Sequence, residues 1–271
     1  MAMTHTDWSD LPQTLRDAVE CKSGRVVSAR TVAAGLNSQI AAVLETAEGR
    51  VFLKGVPLEA RTALASQRRE AAINQCVLAV SPQLLWSAET EGWNLLAFEY
   101  ISGGHADYAP GSPHLDDVVK VANRLHRVTA PDLPELRAAD QRWSAWAGVD
   151  DAGLLSGDSL LHTDFAGHNI LIGEEGGAWM IDWAWATRGA SFIDPACLLI
   201  RLIDAGHSAK NAELWAQQCD GWAGADDRAV DVFAAAAARM WDDIAKAEPL
   251  QWKVSMARSA QKWASYRKGA S

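Results

Sequence analysis

The sequence predicts an α+β protein whose strand-rich N-terminal part is followed by a helix-rich remainder. Short apolar or alternating runs bounded by turn residues fill the first hundred positions, at 26–33, 40–46, 50–56, 83–87 and 93–100. From Ser112 onward apolar residues recur at helical spacing. One hairpin pattern interrupts the helices: apolar runs at 170–172 and 178–181 around Gly173-Glu-Glu-Gly-Gly177.

Taken in order, 9–22 reads as a short helix with Ser9 or Asp10 as cap, Pro12 in the first turn, and Leu11, Leu15 and Val19 on one face. Three strands follow, the last two joined by a turn at Glu48-Gly49 and the first two by Ala34-Gly35-Leu36-Asn37-Ser38. A helix over 58–79 contains Arg68-Arg69-Glu70. Two more strands meet at a polar turn over 89–92, and the second runs into Ala97-Phe-Glu-Tyr-Ile-Ser-Gly-Gly104. Helices are expected at 112–128, capped by Ser112 with Pro113 at its first position, and at 133–146. Asp194-Pro195 opens another, running to about 205, and three helical segments close the chain at 209–222, 226–246 and 249–267.

A chain of 271 residues with 49% hydrophobic and 22% charged residues can bury a sizeable core, as one large domain or two lobes. Its net charge of -9 and pI of about 5.2 disfavour nucleic acid and anionic membranes as partners and would welcome a cationic substrate. Cys21, Cys76, Cys197 and Cys219 show no metal-ligand spacing and read as reduced residues of a cytoplasmic protein. The N-terminus lacks the basic and apolar regions of a signal peptide, and no apolar run reaches membrane length.

The chemistry concentrates in 160–183, where His162, Asp164 and Asn169 precede the hairpin and Asp182 ends it. Phosphoryl transfer asks a protein chiefly to position reactants and hold magnesium against the phosphates. Asp164 would orient an attacking hydroxyl and accept its proton, and Asn169 and Asp182 supply hard oxygen ligands suited to Mg²⁺. His162 reads as a brace for the loop. Lys54 lies in an alternating strand, with Glu70 on the next helix as its ion-pair partner ahead of Glu59, which sits too near the helix start.

His162-Thr-Asp164, Asn169 five residues on, and Ile181-Asp182-Trp183 together resemble the aminoglycoside phosphotransferase family, relatives of protein kinases that phosphorylate small molecules. Ile-Asp-Trp stands where kinases have Asp-Phe-Gly, and no Ala-Pro-Glu follows, which points away from a protein kinase. The resemblance spans about 26–199. It implies a two-lobed protein-kinase-like fold, with a five-stranded antiparallel sheet and one main helix over 1–102 and a mostly helical lobe over 103–271, the active site lying in the cleft.

The resemblance also implies roles. Lys54 holds the α- and β-phosphates of ATP, or GTP, with Glu70 as partner. Asn37 and Ser38 contact phosphate from a loop with a single glycine. Glu99 and Ile101 offer backbone groups to adenine, and Phe98 or Tyr100 lines its pocket. Residues 187–191 are a short activation-loop analogue, and Asp194 either braces the catalytic region or caps its helix. The expected acceptor is a small-molecule hydroxyl compound, foremost an aminoglycoside or other cationic antibiotic, held by acidic and aromatic residues of the last helices: Asp204, Glu213, Asp226, Asp227, Asp231, Asp242 or Asp243. A metabolic kinase for a sugar, amino sugar or choline-like alcohol is the alternative, and a nucleotide-binding pseudokinase scaffold is the alternative from another class.

Overall fold

The structure of the protein, a computed structural model, describes residues 5–32 and 38–270. Two compact units emerge. The first comprises Met1–Ser102 with Ile181–Ala184, the second Gly103–Met180 with Trp185–Ser271.

In the first unit, helix α1 (Gln13–Ser23) precedes strands β1 (Val26–Thr31), β2 (Ile40–Thr46) and β3 (Gly49–Pro57), then helix α2 (Arg61–Ile73) and strands β4 (Leu84–Thr90) and β5 (Trp93–Glu99). They form one antiparallel sheet in the order β1-β2-β3-β5-β4. Register settles which residues share a face: Leu53 lies opposite Ala42 and Ala97, and Lys54 opposite Ala41 and Leu96. The Leu53 face packs with Leu44, Val51 and Leu95 against Leu11, Leu15 and Val19 of the α1 region. Burying these apolar side chains contributes on the order of 2 kcal/mol each. The opposite face carries Lys54, to which α2 supplies a partner.

In the second unit, β6 (Gly103–His105) leads to α3 (Leu115–His126), β7 (Arg137–Ala138), two short helices, α4 (Ala139–Arg142) and α5 (Ser144–Ala147), and β8 (Ser159–Leu161). The hairpin is β9 (Ile170–Gly173) and β10 (Ala178–Met180), to which β6 adds a third strand. Strand β11 (Thr187–Gly189) then precedes α6 (Ile193–Asp204), α7 (Ala209–Ala216), α8 (Asp227–Ala247) and α9 (Gln251–Ala270). Phe233 of α8 centres the helical core, edge-on to Trp143, Phe192 and Trp263. No helix among the described residues is long and apolar enough to cross a membrane.

Several expected boundaries move, each for a local reason. The first helix begins at Gln13, with a separate 3-10 turn at Trp8–Asp10, because Leu11 precedes a proline and adopts φ -70°, ψ 145°. Helix α2 stops at Ile73, where the buried Asn74 spends its side chain on the Pro82 carbonyl and the Leu84 N–H. Ser112 turns back on His114 N–H, so α3 starts at Leu115. The single helix expected over 133–146 is absent. Arg137–Ala138 pairs in parallel with Thr187–Arg188, and only the two short helices follow. Thr187–Gly189, within the segment expected as an activation-loop analogue, forms strand β11, held between β7 and β8.

Gly103 fits only without a side chain, since a Cβ there would lie 2.0 Å from the Ile172 carbonyl oxygen within the β6–β9 ladder. Gly103→Ala is expected to cost about 2 kcal/mol through forced strand separation, read from urea unfolding. An unchanged midpoint would show that the ladder yields at no cost.

Candidate active site

Lys54 and Glu70 are both buried, and the ammonium donates to the two Glu70 oxygens at 2.7 and 2.9 Å. Asp182 Oδ1 lies 3.6 Å from the same nitrogen. Burial pulls the Lys54 pKa down, but Asp182 and Glu70 outweigh it and leave it above the ordinary lysine value. Burial pushes the Glu70 carboxyl up, with Lys54 opposing and Asp182 adding. The segment carrying Asp182 is held by Arg69, which donates to the Ala184 carbonyl at 2.7 Å, and by Trp183, whose indole N–H donates to Ser81 Oγ at 3.2 Å. Asp182 itself has φ +63°, a left-handed conformation that costs on the order of 1–3 kcal/mol and persists only where surroundings impose it.

Other residues expected at the nucleotide lie in the same unit. Phe98 is buried on the Lys54 side of β5, with the ammonium 5.9 Å from its ring centroid. The Glu99 N–H is spent on the Gln83 carbonyl at 2.8 Å, whereas the Ile101 N–H makes no hydrogen bond among the described residues. Ser38 is buried just ahead of β2. Asn37 lies outside the described residues.

In the second unit, residues 162–169 form a loop closed by Asn169, whose amide donates to the Asp164 carbonyl at 3.1 Å. The five-residue spacing is what lets Asn169 reach back. This bond uses one of the two amide N–H donors and leaves Asn169 Oδ1 as an acceptor, an oxygen of the kind a hard cation such as Mg²⁺ takes. The fully buried His162 ring accepts the Asp164 N–H at Nδ1, 3.3 Å away.

Thr163 also has φ +63°, rare for a β-branched residue. Its surroundings over-determine that conformation. Asp194, in the first turn of α6, accepts the N–H groups of His162 and Thr163 at 2.8 and 2.7 Å, which makes it a brace rather than a cap. Arg142 donates to Thr163 Oγ1, to Thr187 Oγ1 at 2.9 Å and to the Trp185 carbonyl at 3.2 Å. Burial pulls this guanidinium down to about 10 and pushes the Asp194 carboxyl up to about 7 against its two N–H donors and Arg142.

Asp164 presents a partly exposed carboxylate, one oxygen of which accepts from Arg201 at 2.8 Å. Arg201 was not anticipated, nor were the contacts of Thr163 and Arg142. An arginine in an amphipathic helix is by default a solvated residue, and nothing local tied any of these to the loop.

The acidic residues considered for a cationic acceptor are engaged within the chain. Glu213, Asp227 and Asp231 converge on Arg267, Asp242 pairs with Lys246, and Asp243 accepts the Trp146 indole N–H. Asp204 accepts from Ser255 and Ser259, and Asp226 caps α8 through the Ala229 N–H.

Asp194 generates a pH prediction. A carboxyl raised in the folded state stabilises most below its unfolded pKa of about 4, and that contribution is lost as pH rises through about 7. The stability of the wild type relative to Asp194→Asn should therefore fall by on the order of 3 kcal/mol between about pH 4 and 7 and then level off. A gap that widens with pH would show that the N–H bonds to the ionised form dominate instead.

No family model and no curated protein matches the sequence. Solved structures do. The choline kinase LicA of Streptococcus pneumoniae aligns with a TM-score of 0.67 at 14% identity, over 94% of this chain and 99% of that one. A thermostable mutant of the aminoglycoside phosphotransferase APH(4)-Ia gives 0.67 at 13% identity, over 94% and 99%. The AMP-bound spectinomycin phosphotransferase APH(9)-Ia gives 0.60 at 13%, over 93% of each chain. With its five-stranded antiparallel sheet, its helical second unit and these likenesses, the chain has the two-lobed, protein-kinase-like fold of small-molecule kinases.

Proposed function

We propose that the protein transfers the γ-phosphoryl group of ATP, or GTP, to a hydroxyl of a small molecule. The observation that carries this reading is the buried Lys54 ammonium between Glu70 and Asp182, a desolvated charge cluster that adds little to the stability of a core and is characteristic of ligand sites. In this reading Lys54 holds the α- and β-phosphates, and Glu70 fixes its position. The Ile101 N–H, with its uncommitted donor, takes an adenine edge, Phe98 lines the adenine pocket, Glu99 contributes its backbone carbonyl, and Ser38 and Asn37 contact phosphate. Magnesium, held by Asn169 and Asp182, would supply neutralisation of the charge on the phosphates.

Asp164 orients the acceptor hydroxyl and takes its proton. Arg201 occupies Oδ1, so Oδ2 is the oxygen offered to the acceptor. The brace of Asp194 and Arg142 on Thr163 keeps that carboxylate at one place, and positioning supplies much of the catalysis in phosphoryl transfer.

The similar structures carry the names choline kinase, aminoglycoside phosphotransferase and spectinomycin phosphotransferase. An aminoglycoside or other cationic antibiotic is the acceptor this likeness and the net charge of -9 suggest first, which would make the protein a resistance enzyme. A sugar, amino sugar or choline-like alcohol would make it a metabolic kinase.

Asp164→Asn is expected to lower transfer by at least about 10³-fold while nucleotide affinity stays within about twofold. Lys54→Ala should lower kcat/KM for ATP by about 10²-fold. Asp182→Ala should abolish the magnesium dependence of nucleotide binding in calorimetry. A magnesium-dependent affinity retained in that variant would remove Asp182 from the site.

A further inference from the structure

The charges around residues 162–164 bear on the choice of acceptor. Arg201 is bonded to Asp164 and Arg142 to Thr163. A third guanidinium, Arg137, lies within electrostatic reach of Arg142 and stacks on Trp185, 4.6 Å from the ring centroid. Trp185 is 37% exposed, and among the described residues the Arg137 side chain makes no hydrogen bond or ion pair, so its guanidinium N–H donors are uncommitted. Tyr108 adds another donor. Its buried hydroxyl has no partner among the described residues, feels both Arg201 and Asp164, and is held protonated by burial.

Against three guanidiniums the loop sets two carboxylates, and that of Asp194 is spent on backbone N–H groups. The seven acidic side chains of the C-terminal helices are engaged within the chain. The Trp241 and Trp252 rings, an aromatic pair suited to a cation, are already covered by the chain's own Arg201 and Lys253, at 5.6 and 5.4 Å. In a protein of net charge -9, a local excess of positive charge beside the reacting carboxylate opposes a cationic acceptor and favours an anion. A guanidinium stacked on an indole face keeps its edge free for two parallel bonds to a carboxylate or phosphate.

We propose that the acceptor carries an anionic group, a carboxylate or a phosphate, near the hydroxyl that is phosphorylated, and that Arg137 on Trp185 is the residue that reads it. The inference rests on the phosphotransferase reading and replaces the cationic acceptor suggested by net charge and likeness.

The test measures acceptor-stimulated ATP consumption, together with ATP binding, for the wild type, Arg137→Gln and Arg137→Lys. Two matched acceptor sets are used: glucose, glucosamine, glucuronate and glucose 6-phosphate; and glycerol, 3-amino-1,2-propanediol, glycerate and glycerol 3-phosphate. An anionic member should exceed its amine counterpart at least about tenfold in kcat/KM. Arg137→Gln should erase that preference, Arg137→Lys should restore part of it, and ATP affinity should not move. Whether the carboxylates or the phosphates respond identifies the anion. The best stimulation coming from an amine, none from any anionic member, or an unchanged preference in Arg137→Gln would overturn the inference. ATP binding that persists in those cases leaves the phosphotransferase reading standing, whereas a wild type that binds no ATP takes both down.

Discussion

Lys54 puts an ammonium on the face of the sheet away from the α1 core, where little water reaches it, and the first unit is arranged to keep that charge satisfied. Helix α2 delivers Glu70 at 2.7 Å, and the distant segment 181–184 delivers Asp182 at 3.6 Å. Removing one partner from such a group is far costlier than never having built it, since an uncompensated buried charge remains. Arg69 and Trp183 have meaning in this light. Each spends a polar group on fixing the 181–184 backbone, and so the carboxylate that faces Lys54.

A related economy governs the loop of the second unit. Thr163 and Asp182 both adopt left-handed backbone, and strain of this kind survives where neighbouring groups leave no alternative. At Thr163 those groups are Asp194, Arg142 and the Trp185 carbonyl. Rigidity at Asp164 is thus supplied by residues that need not touch a substrate. Arg201 differs, because it binds the carboxylate itself and brings positive charge to the place where an acceptor would react.

The sequence carried the parts of this design that are local. Asp164 and Asn169 are separated by one loop turn, the hairpin follows from two apolar runs around glycines, and Glu70 lies where one helix after Lys54 can bring it. The helix expected over 133–146 failed because a two-residue pairing with β11 overrode its periodicity, and no local signal announces a parallel partner fifty residues away. Arg142, Arg137 and Arg201 were illegible for the same reason. Arg201 lies 37 residues from the carboxylate it binds, and its neighbours in sequence are ordinary helix formers. Asp194 stood between two readings, and its position inside the first turn of α6, with both oxygens on loop N–H groups, decides for the brace.

Phosphoryl transfer is read directly by ³¹P NMR of the protein with ATP, Mg²⁺ and a mixture of hydroxyl compounds spanning neutral, amine and acidic forms. The γ-phosphate resonance is expected to decline while a phosphomonoester resonance grows in equal measure, and neither change should occur with Asp164→Asn. Release of inorganic phosphate alone, or an unchanged spectrum despite bound ATP, would contradict transfer to a small-molecule hydroxyl.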